Sequence, residues 1–155
     1  MIKKLIILLL SFFDFFHQRK IIKFLSKKNL TKIDVLFDVG AHKGESINLF
    51  LSNMNVKKII SFEPSPTNFL RLKNIKEHYI KKFNKTEILI ENIGLGNENK
   101  EINFKQFEES SSSTIKELDE ESSYFKKKFN LLNYFSKEKK YKILKVKIIT
   151  LEDYM

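Results

Sequence analysis

Cysteine is absent from this chain. That excludes a disulfide scaffold, a thiolate metal site and a cysteine nucleophile together. Histidine occurs only at His17, His42 and His78, too scattered along the sequence to suggest a zinc site, and no metal is expected. Arginine is confined to Arg19 and Arg71, so the net charge of +10, from 29 basic and 19 acidic residues, is carried by lysine. Lysine is a point charge without the planar fork that reads bases or grips phosphate bidentately. No nucleic-acid partner is therefore expected, and solvated surface is the reading of the excess. Nor does any apolar run reach the ~20 residues that a membrane-spanning helix needs.

What is present suffices for one domain with a real core: 155 residues, 42% hydrophobic and 31% charged. Residues 1–30 read as a separate helical segment. Lys3 and Lys4 precede the apolar run Leu5–Leu10, Ser11, Phe12 and Phe13, with Phe15 and Phe16 beyond Asp14. The run resembles a signal-peptide core but no small-residue cleavage site follows it. Ile21, Ile22, Phe24 and Leu25 then alternate with Arg19, Lys20, Lys23, Lys27 and Lys28, the pattern of a basic amphipathic helix. Such a helix covers one end of a domain, meets a partner, or makes peripheral membrane contact through residues 1–28.

From Ile33 the order of elements is regular. Ile33–Val39 is a short buried strand, and Gly40–Lys43 turns. A helix from Gly44 carries Ile47, Phe50, Leu51 and Met54 on one face. Lys57–Phe62 is a second strand. Ser65 and Pro66 start a helix whose stripe is Phe69, Leu72, Ile75 or Lys76, Tyr79, Ile80 and Phe83. Thr86–Glu91 is a third strand. This β-α-β-α-β order predicts a parallel sheet with helices on its faces. Beyond it, Glu101–Phe107 alternates with period two, and Lys142–Thr150 alternates again and is expected to return beside it. Between them lie a serine cluster at 110–114 and a charged stretch, 115–142, read as a solvated helix or loop.

Chemistry concentrates at Phe37-Asp38-Val39-Gly40-Ala41-His42-Lys43-Gly44-Glu45 and at Phe62-Glu63-Pro64. An apolar strand ends in an acid, turns through two glycines and opens into a helix; a second strand ends in another acid. Glycine lets backbone approach a ligand closely, and a helix N-terminus adds free N–H groups. The spacing is G-x-x-x-G, and His42 stands where a dinucleotide site has its middle glycine. This argues against NAD or FAD and suits a cofactor without phosphate, with an amino-acid end and an adenosine. Glu63 then fits a ribose diol, Asp38 the ammonium or sulfonium end, and Asn92, at the tip of the third strand, the adenine region. Each is also an ordinary strand terminator.

These segments, with Asn92-Ile93-Gly94-Leu95-Gly96, the serine cluster and Thr150-Leu151-Glu152-Asp153-Tyr154, resemble the FkbM family of S-adenosylmethionine-dependent methyltransferases over about residues 33 to 155, most of 115–142 excepted. The resemblance implies a Rossmann-like class I methyltransferase fold, α/β, with a parallel sheet covered by helices on both faces. It implies S-adenosylmethionine as cofactor and O-methylation of a hydroxyl on a sugar or secondary metabolite. By position Asp38, Gly40, Ala41 and Gly44 match the cofactor turn and Glu63 the ribose-binding acid; His42 and Asn92 complete the candidate cofactor-binding set. The family continues past the Thr150–Asp153 segment into a further strand ending in Asp-x-Glu-Gly, which is not in this sequence. Residues 31–155 are thus expected to be a partial, cofactor-binding domain with an incomplete C-terminal half. No catalytic base with a partner can be named; His42 is a candidate, but shaping the turn is its simpler role. A basic non-catalytic module on membrane or nucleic acid is the rival reading, and a nucleotide-dependent oxidoreductase fragment a third. The expected location is the cytoplasm, with the inner face of the membrane as the site of any peripheral contact.

Overall fold

The computed structural model describes residues 17–107 and 141–155. The apolar run from Leu5, the serine cluster and the charged stretch as far as residue 140 lie outside them. Helix α1 covers 17–27 and leads into a turn at Asn29, a left-handed residue with φ 59°. Asparagine is one of the few side chains that tolerates that conformation.

Strands β1 (Lys32–Val39), β2 (Asn55–Phe62) and β3 (Glu87–Glu91) form a parallel sheet in the order β1-β2-β3. The central strand is buried without a break from Ile59 to Phe62, as a strand covered on both faces must be. Its register pairs Asp38 with Ser61, Val39 with Phe62, and Phe62 with Glu91. The carboxyl ends of all three strands therefore finish level, and the residues that follow them come together.

Helices α2 (Glu45–Asn53) and α3 (Pro66–Lys82) supply the crossovers. Ile47, Leu51, Leu72 and Tyr79 from these helices join Val56, Ile59 and Ile88 from the sheet in one apolar cluster, against which Ile22 and Leu25 of α1 also pack. The α2 face is the one its spacing predicts. The α3 face is turned slightly: its inward line is Asn68, Leu72, Ile75, Tyr79 and Phe83, while Ile80 is 38% exposed. The helix start sets this phase. Ser65 accepts a hydrogen bond from the Asn68 N–H and Pro66 occupies the first turn, which brings position 68 rather than 69 inward.

The alternating segments do pair. β5 (Lys100–Phe107) runs antiparallel to β6 (Tyr141–Ile149), with Ile102 opposite Val146. They do not extend the parallel sheet, however. With the two-residue β4 (Gly94–Leu95) they make a second, mixed sheet in the order β4-β6-β5, built over its own small cluster of Phe104, Val146 and Ile148. Glycine allows this junction. A Cβ at Gly94 or Gly96 would stand 2.5 or 2.6 Å from Ile148, so only bare backbone lets β6 lie there.

The expected parallel sheet is present among the described residues, with the paired alternating segments beside it in a sheet of their own. Among the described residues, α1, α2 and α3 share one cluster. Phe62, buried outside that cluster, meets the short helix α4 (Leu151–Tyr154), whose Tyr154 ring approaches edge-on at 4.9 Å. The fold is mixed α/β, a three-stranded parallel sheet joined to a smaller mixed one. No helix among the described residues is long and apolar enough to cross a membrane.

Candidate functional site

The loop after β1 is held by backbone. The N–H groups of Gly40 and Ala41 both donate to the Phe62 carbonyl, at 2.9 and 3.1 Å, and the Gly44 N–H donates to Ala41 at 2.8 Å. Three of its residues are left-handed: Gly40 (φ 84°), His42 (φ 51°) and Gly44 (φ 86°). The two glycines do different work. A Cβ at Gly40 would meet nothing within 4 Å, so the space beside this glycine is open. A Cβ at Gly44 would lie 2.9 Å from Leu72 Cδ1 and 3.0 Å from Tyr79 Cε2, and the Tyr79 hydroxyl donates to the Gly44 carbonyl at 3.1 Å. Gly44 thus seats α2 on α3, while Gly40 leaves a gap.

Glu63, the acid after β2, is brought directly to this loop. Its Oε2 accepts the His42 N–H at 2.8 Å and its Oε1 accepts the Ser65 N–H at 2.9 Å. The residue is only 4% exposed. Each carboxylate oxygen keeps a second lone pair, so a carboxylate of this kind can clamp two backbone segments and still accept from a ligand. Burial pushes its pKa up, and the bonds from Ser65, His42 and Asn68 only partly offset that. Asn68 faces the carboxylate from the first turn of α3. It is 2% exposed, and its Oδ1 is the one buried side-chain polar atom without a partner among the described residues. An orphaned acceptor here is costly unless something donates to it.

Asp38 sits at the other side of the loop. Its Oδ2 accepts from Ser46 at 2.7 Å and from Ser61 at 3.2 Å, and its Oδ1 accepts nothing from the described residues. Burial raises its pKa in spite of the two hydroxyls, and nearby Glu45 adds to the rise. Asn92 has a positioning task. Its amide donates to the Glu63 and Pro64 carbonyls, at 2.8 and 3.3 Å, and so ties the tip of β3 to the turn after β2. His42 contributes its N–H to Glu63 and its ring nitrogen Nδ1 to Glu45 at 3.3 Å. Ala41 is buried in the cluster below. The structure therefore brings Gly40, Ala41, His42, Glu63 and Asn92 into one bonded group, with Asp38 and Gly44 at the two ends of the same loop.

Four contributors were not foreseen. Ser61 was legible in principle, since it is the register partner of Asp38. Ser46 is the second residue of α2, just past the loop. Asn68 was hidden by the apolar stripe drawn through Phe69. Gln106 left no signal: its Oε1 accepts from the Ser65 hydroxyl at 2.8 Å, across 41 residues of sequence.

Electrostatically the site is acidic. The first turn of α2 carries Glu45, whose carboxylate accepts the Lys43 N–H at 3.1 Å. The positive end of that helix, which in a dinucleotide site faces pyrophosphate, is therefore already met by an anion. The arrangement suits a ligand with positive charge and no phosphate. A separate groove of about 730 Å³ lies between α1 and α2 and touches this group of residues only at Glu45. No cluster of described residues could hold a metal ion.

Set against known proteins, residues 38–155 match the sequence model of the methyltransferase FkbM domain, a span that starts at Asp38 and takes in the whole bonded group. No curated protein and no solved structure matches the chain.

Proposed function

This chain belongs to the family of methyltransferase FkbM domains, and from that premise we propose that it moves a methyl group from S-adenosylmethionine to a hydroxyl oxygen of a sugar or secondary metabolite. Methyl transfer is the activity of the family; the donor, the oxygen acceptor and a Rossmann-like class I arrangement of the whole domain are our reading. The bond between Glu63 Oε2 and the His42 N–H is the observation that carries it, because it joins the acid of the second strand to the loop after the first.

The residues fit that donor. Gly40 leaves open space where a side chain would intrude. Glu63 retains acceptor capacity for a ribose diol, and the unpartnered Asn68 Oδ1 is a further acceptor beside it. Asp38 presents an Oδ1 that no described residue engages, available for an ammonium group. When bound, S-adenosylmethionine supplies a methyl group on a positively charged sulfur. The chain's own part is alignment. The left-handed loop and the Glu63 clamp hold the binding surface in one geometry, which is the main demand of an in-line displacement. The acids Asp38, Glu45 and Glu63 favour a cationic donor over its neutral product, which also aids product release.

Titration with S-adenosylhomocysteine and with NAD, followed by calorimetry, tests the reading. Binding of the first and not the second is expected, with Glu63→Gln weakening it by about tenfold through loss of a charge-assisted bond. Absence of heat from a folded wild-type chain would overturn it.

A further inference from the structure

Helix α1 has two unlike faces. Ile22 and Leu25 pack against the core cluster. The flank beside that buried face leaves Ile21 37% and Phe24 59% exposed, next to the exposed Lys20, Lys23, Lys27 and Lys28. Lys28 Nζ stands 6.0 Å from the centre of the Phe24 ring. Not one acidic residue occurs between Asp14 and Asp34, although the chain as a whole is 31% charged. The solvent side of α1 therefore carries an apolar flank bordered by lysines, on a helix whose inner face fixes it to the domain.

We infer that this face docks the protein on an anionic lipid surface. Charge complementarity selects the occupant. Lysines on a helix face are attracted to acidic headgroups, while Ile21 and Phe24 are placed to enter the acyl boundary between them. Nucleic acid is the weaker fit. An exposed isoleucine contributes nothing to phosphate contacts, and lysine lacks the bidentate geometry that arginine would offer. The inference does not depend on the methyl-donor reading, since none of its residues belongs to the strand-tip group.

Flotation of the full chain with vesicles tests it, using phosphatidylcholine alone and phosphatidylcholine containing a quarter phosphatidylglycerol. Binding is expected on the anionic vesicles, weaker by about tenfold or more on the neutral ones and falling as salt is raised. The double variants Ile21→Ser/Phe24→Ser and Lys20→Glu/Lys23→Glu should each lose about tenfold in vesicle binding. Both should keep the wild-type circular dichroism spectrum and S-adenosylhomocysteine titration, which separates this test from the previous one. Equal binding to both vesicle types, no binding at all, or undiminished binding by both variants overturns the inference. So does tighter binding to a single-stranded oligonucleotide that Ile21→Ser/Phe24→Ser leaves untouched.

Discussion

The two loop glycines separate stability from ligand access. Gly40 and Gly44 have nearly the same φ, 84° and 86°, so alanine at either carries a left-handed backbone cost of roughly 1–2 kcal/mol. Only at position 44 does the new Cβ also collide, with Leu72 and Tyr79 in the core. Gly44→Ala should therefore lose about 1–3 kcal/mol more than Gly40→Ala in urea denaturation, the usual range for overpacking. Ligand binding should show the reverse order. Gly40→Ala fills the open side of the loop and should weaken S-adenosylhomocysteine binding more than its stability loss explains. Equal effects of the two substitutions on both measurements would mean that the space beside Gly40 has no bearing on binding.

At the scale of elements, α3 is the hub of the site. Its cap residue, Ser65, does three jobs at once. Its hydroxyl accepts the Asn68 N–H, its own N–H donates to Glu63, and its hydroxyl donates to Gln106 on β5. The phase of α3, the clamp on the loop and the link between the two sheets all pass through this residue. Ser65→Ala removes the cap and the link while leaving the N–H in place. A loss of about 1–2 kcal/mol is expected: about one from the cap, the rest from a partly buried Gln106 acceptor left without its donor. Thr150, which caps the four-residue α4 by accepting the Asp153 N–H, is exposed at that contact, and Thr150→Ala should cost less. Urea denaturation of the two variants decides the comparison, and a larger loss at Thr150 would contradict it.

For the molecule as a whole, the buried acids set a pH dependence. Asp38 and Glu63 both have pKa values raised above their ordinary 3.8 and 4.5. The folded chain thus keeps protons that the unfolded chain has already released. Their contribution to stability is complete below the ordinary values and is lost as pH climbs through the raised ones. Asp38→Asn cannot ionise, so its stability relative to wild type should improve from about pH 4 upward and then level off. Urea denaturation across a pH series measures this. A relative stability that worsens with pH would show that the Ser46 and Ser61 hydroxyls outweigh burial at Asp38. The exposed ion pair Asp34–Lys57 lies far from this effect, with both side chains about four-fifths in solvent, and adds little that salt would not screen.

Much of this was decided by local order in the chain. The β-α-β-α-β succession, the inward face of α2, the Ser65 cap and the period-two pattern of the two alternating segments rest on periodicity and on contacts a few residues apart, which a sequence displays directly. The loop's left-handed glycines and the acids at the strand tips are visible for the same reason. Tertiary structure alone decided that Glu63 would bind the His42 N–H, that Gln106 would reach Ser65, and that Tyr154 would donate to Glu91 at 3.1 Å. Those contacts span 21, 41 and 63 residues. They depend on the level register of three parallel strands and on a second sheet seated against bare glycine backbone, and neither leaves a repeat or a spacing in the linear chain.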